Sequence, residues 1–137
     1  MSNALRLSEE QLDAYQKRRA PDGTIAATKI PVPLERDVLA DVLATLKLHP
    51  RVAWAVRMNA GLFKVVDKGG ERWIRAAFKG CSDVIGQMRS GAFLAIETKR
   101  PGQKPTPEQQ IFLDHVRAHG GIAFIAHGID DVMRELA

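Results

Sequence analysis

The chain has 137 residues, 45% of them hydrophobic and 26% charged, with a net charge of +4. A chain of that length and balance is expected to bury one ordinary core, which argues against disorder, collagen and coiled coil. Its single cysteine, Cys81, excludes an intrachain disulfide framework, and no stretch approaches the ~20 apolar residues of a membrane span. The start, MSNALRLSEEQLDAY, has no apolar run of signal-peptide type. A cytoplasmic protein with no membrane partner is the expectation. The basic excess permits a polyanion partner without requiring one.

Ser8 with Gln11 forms a capping-box pattern and predicts a short helix from Glu9 to Arg19, basic at its end through Lys17, Arg18 and Arg19. Prolines 21 and 31 punctuate an aperiodic stretch, so residues 1–32 read as a helical arm and linker, and 33–137 as the body. Leu34, Val38, Leu39, Val42, Leu43 and Leu46 recur at helical spacing and predict an amphipathic helix over 34–48. Pro33 suits its first turn, and His49-Pro50 ends it.

Strands follow. Residues 52–58 form the first, and Asn59-Ala60-Gly61 a turn or kink. Residues 62–66 and 72–78 flank Asp67-Lys68-Gly69-Gly70 as a hairpin, and 83–88 and 93–99 flank Arg89-Ser90-Gly91 as another. Thr106-Pro107-Glu108-Gln109 combines an N-cap, a first-turn proline and a capping-box glutamine. The helix it opens runs to about His119 and stops at Gly120-Gly121. Residues 122–126 form a short apolar strand, and Asp130 to Leu136 a closing helix. The order predicts an α/β fold, a mixed sheet flanked by helices, without repeats or low-complexity tracts.

Five polar residues fall where the pattern expects apolar ones, and such breaks concentrate at functional sites. At about 100° per residue, Glu35 shares the azimuth of Leu39, Val42 and Leu46. A carboxylate buried there needs a partner or a metal, unless it bends out to water from the first turn. Glu97 and Lys99 end the apolar run FLAIETK and share a face with Phe93 and Ala95. They need partners unless the strand simply surfaces there. With a symmetric hairpin, Asp83 falls opposite Ile96 or Glu97. Facing carboxylates repel, and a divalent cation turns that repulsion into a hard-oxygen site; the alternative is an aspartate capping the loop after Gly80. Gln109 lies on the azimuth of Phe112, Leu113 and Val116, and would point into the same region or merely complete its capping box.

Other chemistries fare worse. His115 and His119 have metal-ligand spacing but lie off the apolar azimuth, with no third ligand evident. Gly69-Gly70 and Gly120-Gly121 lack the context of a phosphate loop, and no G-x-S-x-G supports a serine nucleophile. Cys81 reads as packing, and Trp54 and Trp73 as core or sheet-face residues. Arg57, Lys64, Lys68, Arg72, Arg75 and Lys79 gather on and around the middle hairpin, with Arg100 and Lys104 after the E-x-K strand. They would line a phosphate track or form a solvated charged face.

Together, Glu35, Asn59-Ala60-Gly61, Gly80-Cys81-Ser82-Asp83, Glu97-Thr98-Lys99 and Thr106-Pro107-Glu108-Gln109-x-x-Phe112-Leu113 resemble a stand-alone VRR-NUC domain. This is the virus-type replication-repair branch of the PD-(D/E)XK nuclease superfamily. FLAIETKRPGQKPTPEQQIFLDHV is the most specific run, and the likeness covers about 33–135. Ser82 stands where the superfamily often has proline, a variable position. The resemblance implies a restriction-endonuclease-like fold and a Mg²⁺- or Mn²⁺-dependent DNA endonuclease of replication, repair or recombination, phage-encoded or cellular. It implies that Glu35, Asp83 and Glu97 hold the metal with the backbone carbonyl of Thr98. Lys99 would position or deprotonate the attacking water, and Gln109 would orient the site or touch substrate. Arg57, Asn59, Lys64, Arg75, Lys79, Arg100 and Lys104 would contact DNA. Small members resemble homodimeric junction resolvases and the large Fanconi-associated ones cut flaps, so branched DNA is the expected substrate. The rivals are a non-catalytic DNA-binding or assembly module on the same fold and an RNA-directed nuclease.

Overall fold

The structure, a computed structural model, describes residues 31–59 and 61–137. The helix expected over 9–19 and most of the linker lie outside the described residues, as does Ala60. In chain order the elements are α1 (Glu35–Leu48), β1 (Val52–Arg57), β2 (Leu62–Asp67), β3 (Gly70–Arg75), β4 (Val84–Met88), β5 (Phe93–Thr98), α2 (Pro107–Ala118), β6 (Ile122–Ala126) and α3 (Ile129–Glu135). Four strands form one mixed sheet in the order β1-β4-β5-β6. β4 runs antiparallel to β1 and to β5, and β6 runs parallel to β5 across the α2 connection. β2 and β3 pair only with each other.

Alternation along β5 explains the layers. Leu94 and Ile96 face a core made with Val38, Val42 and Leu46 of α1 and Val132 of α3. Ala95 faces the other way, into a smaller cluster with Leu113 and Val116 of α2. The apolar stripe of α1 is thus buried at Val38, Leu39, Val42 and Leu46, as its spacing predicts. β5 is buried from Leu94 to Thr98 because both of its faces carry a layer.

Several boundaries differ from the sequence expectation. Helix α1 starts at Glu35, because Leu34 is its N-cap in extended conformation and Pro33 stands just ahead. β3 ends at Arg75, and the chain then turns so that Phe78 packs edge-on against Phe112 of α2, with ring centroids 5.0 Å apart. Trp54 and Trp73 are sheet-face residues and not core, 46% and 67% exposed. Cys81 is buried and free, as packing requires. No helix among the described residues is long and apolar enough to cross a membrane.

Candidate active site

Four elements end at one place: the C-terminal end of β5, the chain entering β4, and the N-termini of α1 and α2. The β4–β5 pairing sets Val84 opposite Ile96, so the residue before Val84 comes level with Glu97. There Asp83 Oδ2 accepts two hydrogen bonds from Thr98, from the backbone N at 3.0 Å and from Oγ1 at 2.7 Å. Thr98 is wholly buried. Sequence reasoning assigned Thr98 only its carbonyl; the side-chain role depends on hairpin register, which no local pattern reveals.

Glu97 is fully buried, and its Oε1 takes two partners. Lys99 Nζ lies 2.8 Å away, and Gln109 Nε2 donates at 2.5 Å. The two readings of Gln109 are both realised by one side chain. Its Oε1 accepts from the Thr106 backbone N at 2.8 Å, and its own backbone N donates to Thr106 Oγ1 at 3.3 Å, which completes the capping box. That fixes the amide with its oxygen on the cap and its nitrogen on Glu97.

Glu35 takes the alternative open to a first-turn residue and bends toward water. As the first helical residue it escapes burial: its side chain is 45% exposed, yet its Oε1 lies 3.6 Å from Lys99 Nζ. Two carboxylates therefore meet at the Lys99 ammonium. Glu35 and Glu97 flank it, and Asp83 is near enough that its charge raises the pKa of both Glu97 and Lys99. Burial is the main cause that pushes the Glu97 carboxyl up to about 7, against the opposing hydrogen bond from Lys99. Burial alone would lower the Lys99 pKa, but the hydrogen bond to Glu97 and the charges of Glu97, Glu35 and Asp83 outweigh it and hold the pKa above its ordinary value.

Among the described residues, no three of His, Cys, Asp or Glu already surround one point as a metal shell. Asp83 Oδ2 is occupied by Thr98, and Lys99 draws the remaining charge together. The donor chemistry nevertheless fits a hard cation. Glu97 Oε2 is buried with no hydrogen-bond partner, and the carboxylate of Asp83 and the carbonyl of Thr98 add only oxygen. An orphaned buried carboxylate oxygen is costly unless a proton or a cation meets it.

The expected DNA contacts separate into three groups. Arg57 and Asn59 line a cavity of about 380 Å³ together with Asp83 and Phe63, beside the site. Lys64 and Lys79 are engaged in ion pairs, with Glu71 and Glu108, each at 2.7 Å. Arg75 lies at the end of β3, and Arg100 and Lys104 lie in the loop after β5, half-buried and exposed respectively. Sequence reasoning discounted Ser82, which is wholly buried with Oγ unpartnered. His115 and His119 stack with ring centroids 4.3 Å apart, and His119 Nδ1 lies 2.8 Å from the His115 carbonyl, an arrangement local to α2.

Gly80 holds the entry to Asp83. Its φ is +87°, and a Cβ there would lie 2.5 Å from the Glu108 carbonyl oxygen on α2. Gly80→Ala is therefore expected to lose more than about 1 kcal/mol of stability, read by chemical denaturation. Unchanged stability would show that the loop can move off α2.

The VRR-NUC domain model matches residues 35–130, from the first residue of α1 into α3. The match spans most of the chain, and the protein belongs to the VRR-NUC family, a nuclease-type DNA-processing domain on a PD-(D/E)XK-like fold. No curated protein matches it.

Proposed function

We propose that this protein is a divalent-metal-dependent endonuclease that hydrolyses phosphodiester bonds in branched DNA. The observation that supports it most is Lys99, its side chain 11% exposed, between Glu97 and Glu35 at the end of the central strand. A module that only bound DNA would gain nothing from a lysine enclosed by carboxylates. Glu97, Asp83 and the Thr98 carbonyl would hold Mg²⁺ or Mn²⁺, with Glu35 at the open side. Such a cation supplies charge to the nonbridging phosphate oxygens and activates water.

The chain's own groups do the rest. Gln109 and Lys99 fix Glu97 Oε1, which leaves Oε2 as its available oxygen. Thr98 fixes Asp83 Oδ2 and turns the other carboxylate oxygen free of that clamp. Lys99 Nζ can donate a hydrogen bond to the attacking water and offset charge on the phosphorane. Arg57 and Asn59 would meet the phosphates entering beside Asp83, and Arg100 and Lys104 those beyond β5. Lys64, Arg75 and Lys79 would extend that track. Two symmetric cuts in a four-way junction need two sites related by a two-fold axis, so a homodimer acting in the cytoplasm is part of the proposal.

Calorimetric titration of Mn²⁺ tests the site directly. Wild type is expected to bind one or two ions and to gain thermal stability by linkage. Asp83→Asn is expected to lose that binding, and unchanged binding would remove Asp83 from the site. Thr98→Val keeps volume but deletes the hydroxyl that orients Asp83. It is expected to weaken Mn²⁺ binding by about 10-fold, the lower end for partners that orient a ligand, while Thr98→Ser stays near wild type. Equal affinities would leave Thr98 a packing residue.

A further inference from the structure

The β2–β3 ribbon is built against the usual rules for a protein surface. It pairs only within itself, and neither strand packs appreciably against another helix or strand. A two-stranded ribbon alone is marginal in water. Yet it carries Leu62, Val66 and Trp73 in the open, 55%, 69% and 67% exposed. The register puts Lys64 opposite Trp73 and Leu62 opposite Arg75, so this face interleaves apolar groups with cations.

Charge says what would cover it. Residues 62–75 hold Lys64, Lys68, Arg72 and Arg75 against Asp67 and Glu71, four cations to two carboxylates. Both carboxylates are neutralised within the ribbon, Glu71 by Lys64 at 2.7 Å and Asp67 by Arg72 at 2.9 Å. Lys68 and Arg75 have no ion pair among the described residues. Protein interfaces deplete lysine at their centres, whereas a cationic face with an open aromatic ring suits nucleic acid. The ribbon's opposite face, which carries Phe63, borders the candidate active site, since Phe63 shares a cavity with Arg57, Asn59 and Asp83.

We propose that the β2–β3 ribbon reads the branch in DNA, with the Trp73 indole stacked on a base that the branch leaves open and Lys68 and Arg75 on the flanking phosphates. The inference rests on the proposed DNA nuclease reading and adds what selects its substrate. In continuous duplex both faces of each base are already stacked, so the indole has nothing to cover. At a junction or flap one base face is free, and covering it adds affinity at that place alone.

The test compares a labelled four-way junction with linear duplex of the same sequences, with Ca²⁺ in place of Mg²⁺ to hold DNA uncut. Trp73→Ala is expected to bind the junction ~10-fold or more weakly and the duplex within about twofold of wild type, with most of the loss recovered in Trp73→Phe. A second readout does not depend on that variant's fold. In Trp54→Phe, Trp73 is the sole tryptophan, and its fluorescence is expected to quench with junction and not with duplex. Equal loss on both DNAs, no loss on the junction, or quenching by both would overturn the proposal. So would sedimentation that shows a dimeric wild type and a monomeric Trp73→Ala, because the face would then join two copies. The two readings fail separately: junction binding with Trp73 quenched but no cleavage in Mg²⁺ or Mn²⁺ overturns the nuclease alone. Wild type that binds neither DNA overturns both.

Discussion

Lys99→Ala is expected to lower DNA cleavage by ~10²-fold or more while the protein stays folded and still binds Mn²⁺. The effect is large because Lys99 Nζ is held 2.8 Å from Glu97 and 3.6 Å from Glu35, where a water and a phosphate would meet it. The fold survives because Glu97 can answer the loss by protonation. Its carboxyl already titrates near 7, and without the ammonium the neutral form is favoured further. Lys99→Arg is expected to rescue poorly, since a planar guanidinium is broader than the compact ammonium held between Glu97 and Glu35. Single-turnover cleavage, with thermal unfolding as the control for fold, checks this. Cleavage by Lys99→Ala at the wild-type rate would make Lys99 a strand-end cation and no more.

Glu97 yields the second large effect, and it concerns stability as well as rate. Its folded pKa of about 7 lies above the ordinary 4.5. The folded state therefore holds the proton more tightly than the unfolded state. That stabilisation is complete below about pH 4.5, falls as pH rises, and is gone above about pH 7. The loss is on the order of 3 kcal/mol for the metal-free protein. Lys99 does not offset it in this window, because a lysine with a raised pKa loses its contribution only at alkaline pH. Glu97→Gln mimics the protonated carboxyl. It is expected to be more stable than wild type at pH 8 in chelator, about equally stable at pH 5, and inactive. Mn²⁺ is expected to restore wild type at pH 8 and to leave the variant unmoved. Urea denaturation at the two pH values measures the difference, and a variant less stable than wild type at pH 8 would show that Glu97 is held ionised.

Most of the fold was legible from periodicity. The stripe of α1, the alternation of the β4–β5 hairpin and the Thr106-Pro107 start of α2 are local signals, and local signals place elements to within a residue or two. The site was legible for a different reason. Glu97 and Lys99 interrupt an apolar central strand, and a charge there cannot be neutral to the fold. Thr98 escaped because its neighbours on the strand are apolar or charged, so its hydroxyl looked incidental until the register carried Asp83 onto it. For Glu35 the azimuth pointed to burial and the first-turn position to water, and the position prevailed because the first residue of a helix has solvent above it. Trp73 could not be placed from sequence, since alternation tells which face a residue takes and not whether anything covers that face.

The most direct test of the account is cleavage itself. Purified protein is incubated with end-labelled duplex, flap and four-way junction DNA, with Mg²⁺ or Mn²⁺ and with chelator. The account predicts cuts at fixed positions in branched DNA that require the cation. Intact DNA under every divalent cation, with binding indifferent to their presence, would contradict it and make the protein a non-catalytic DNA-binding module.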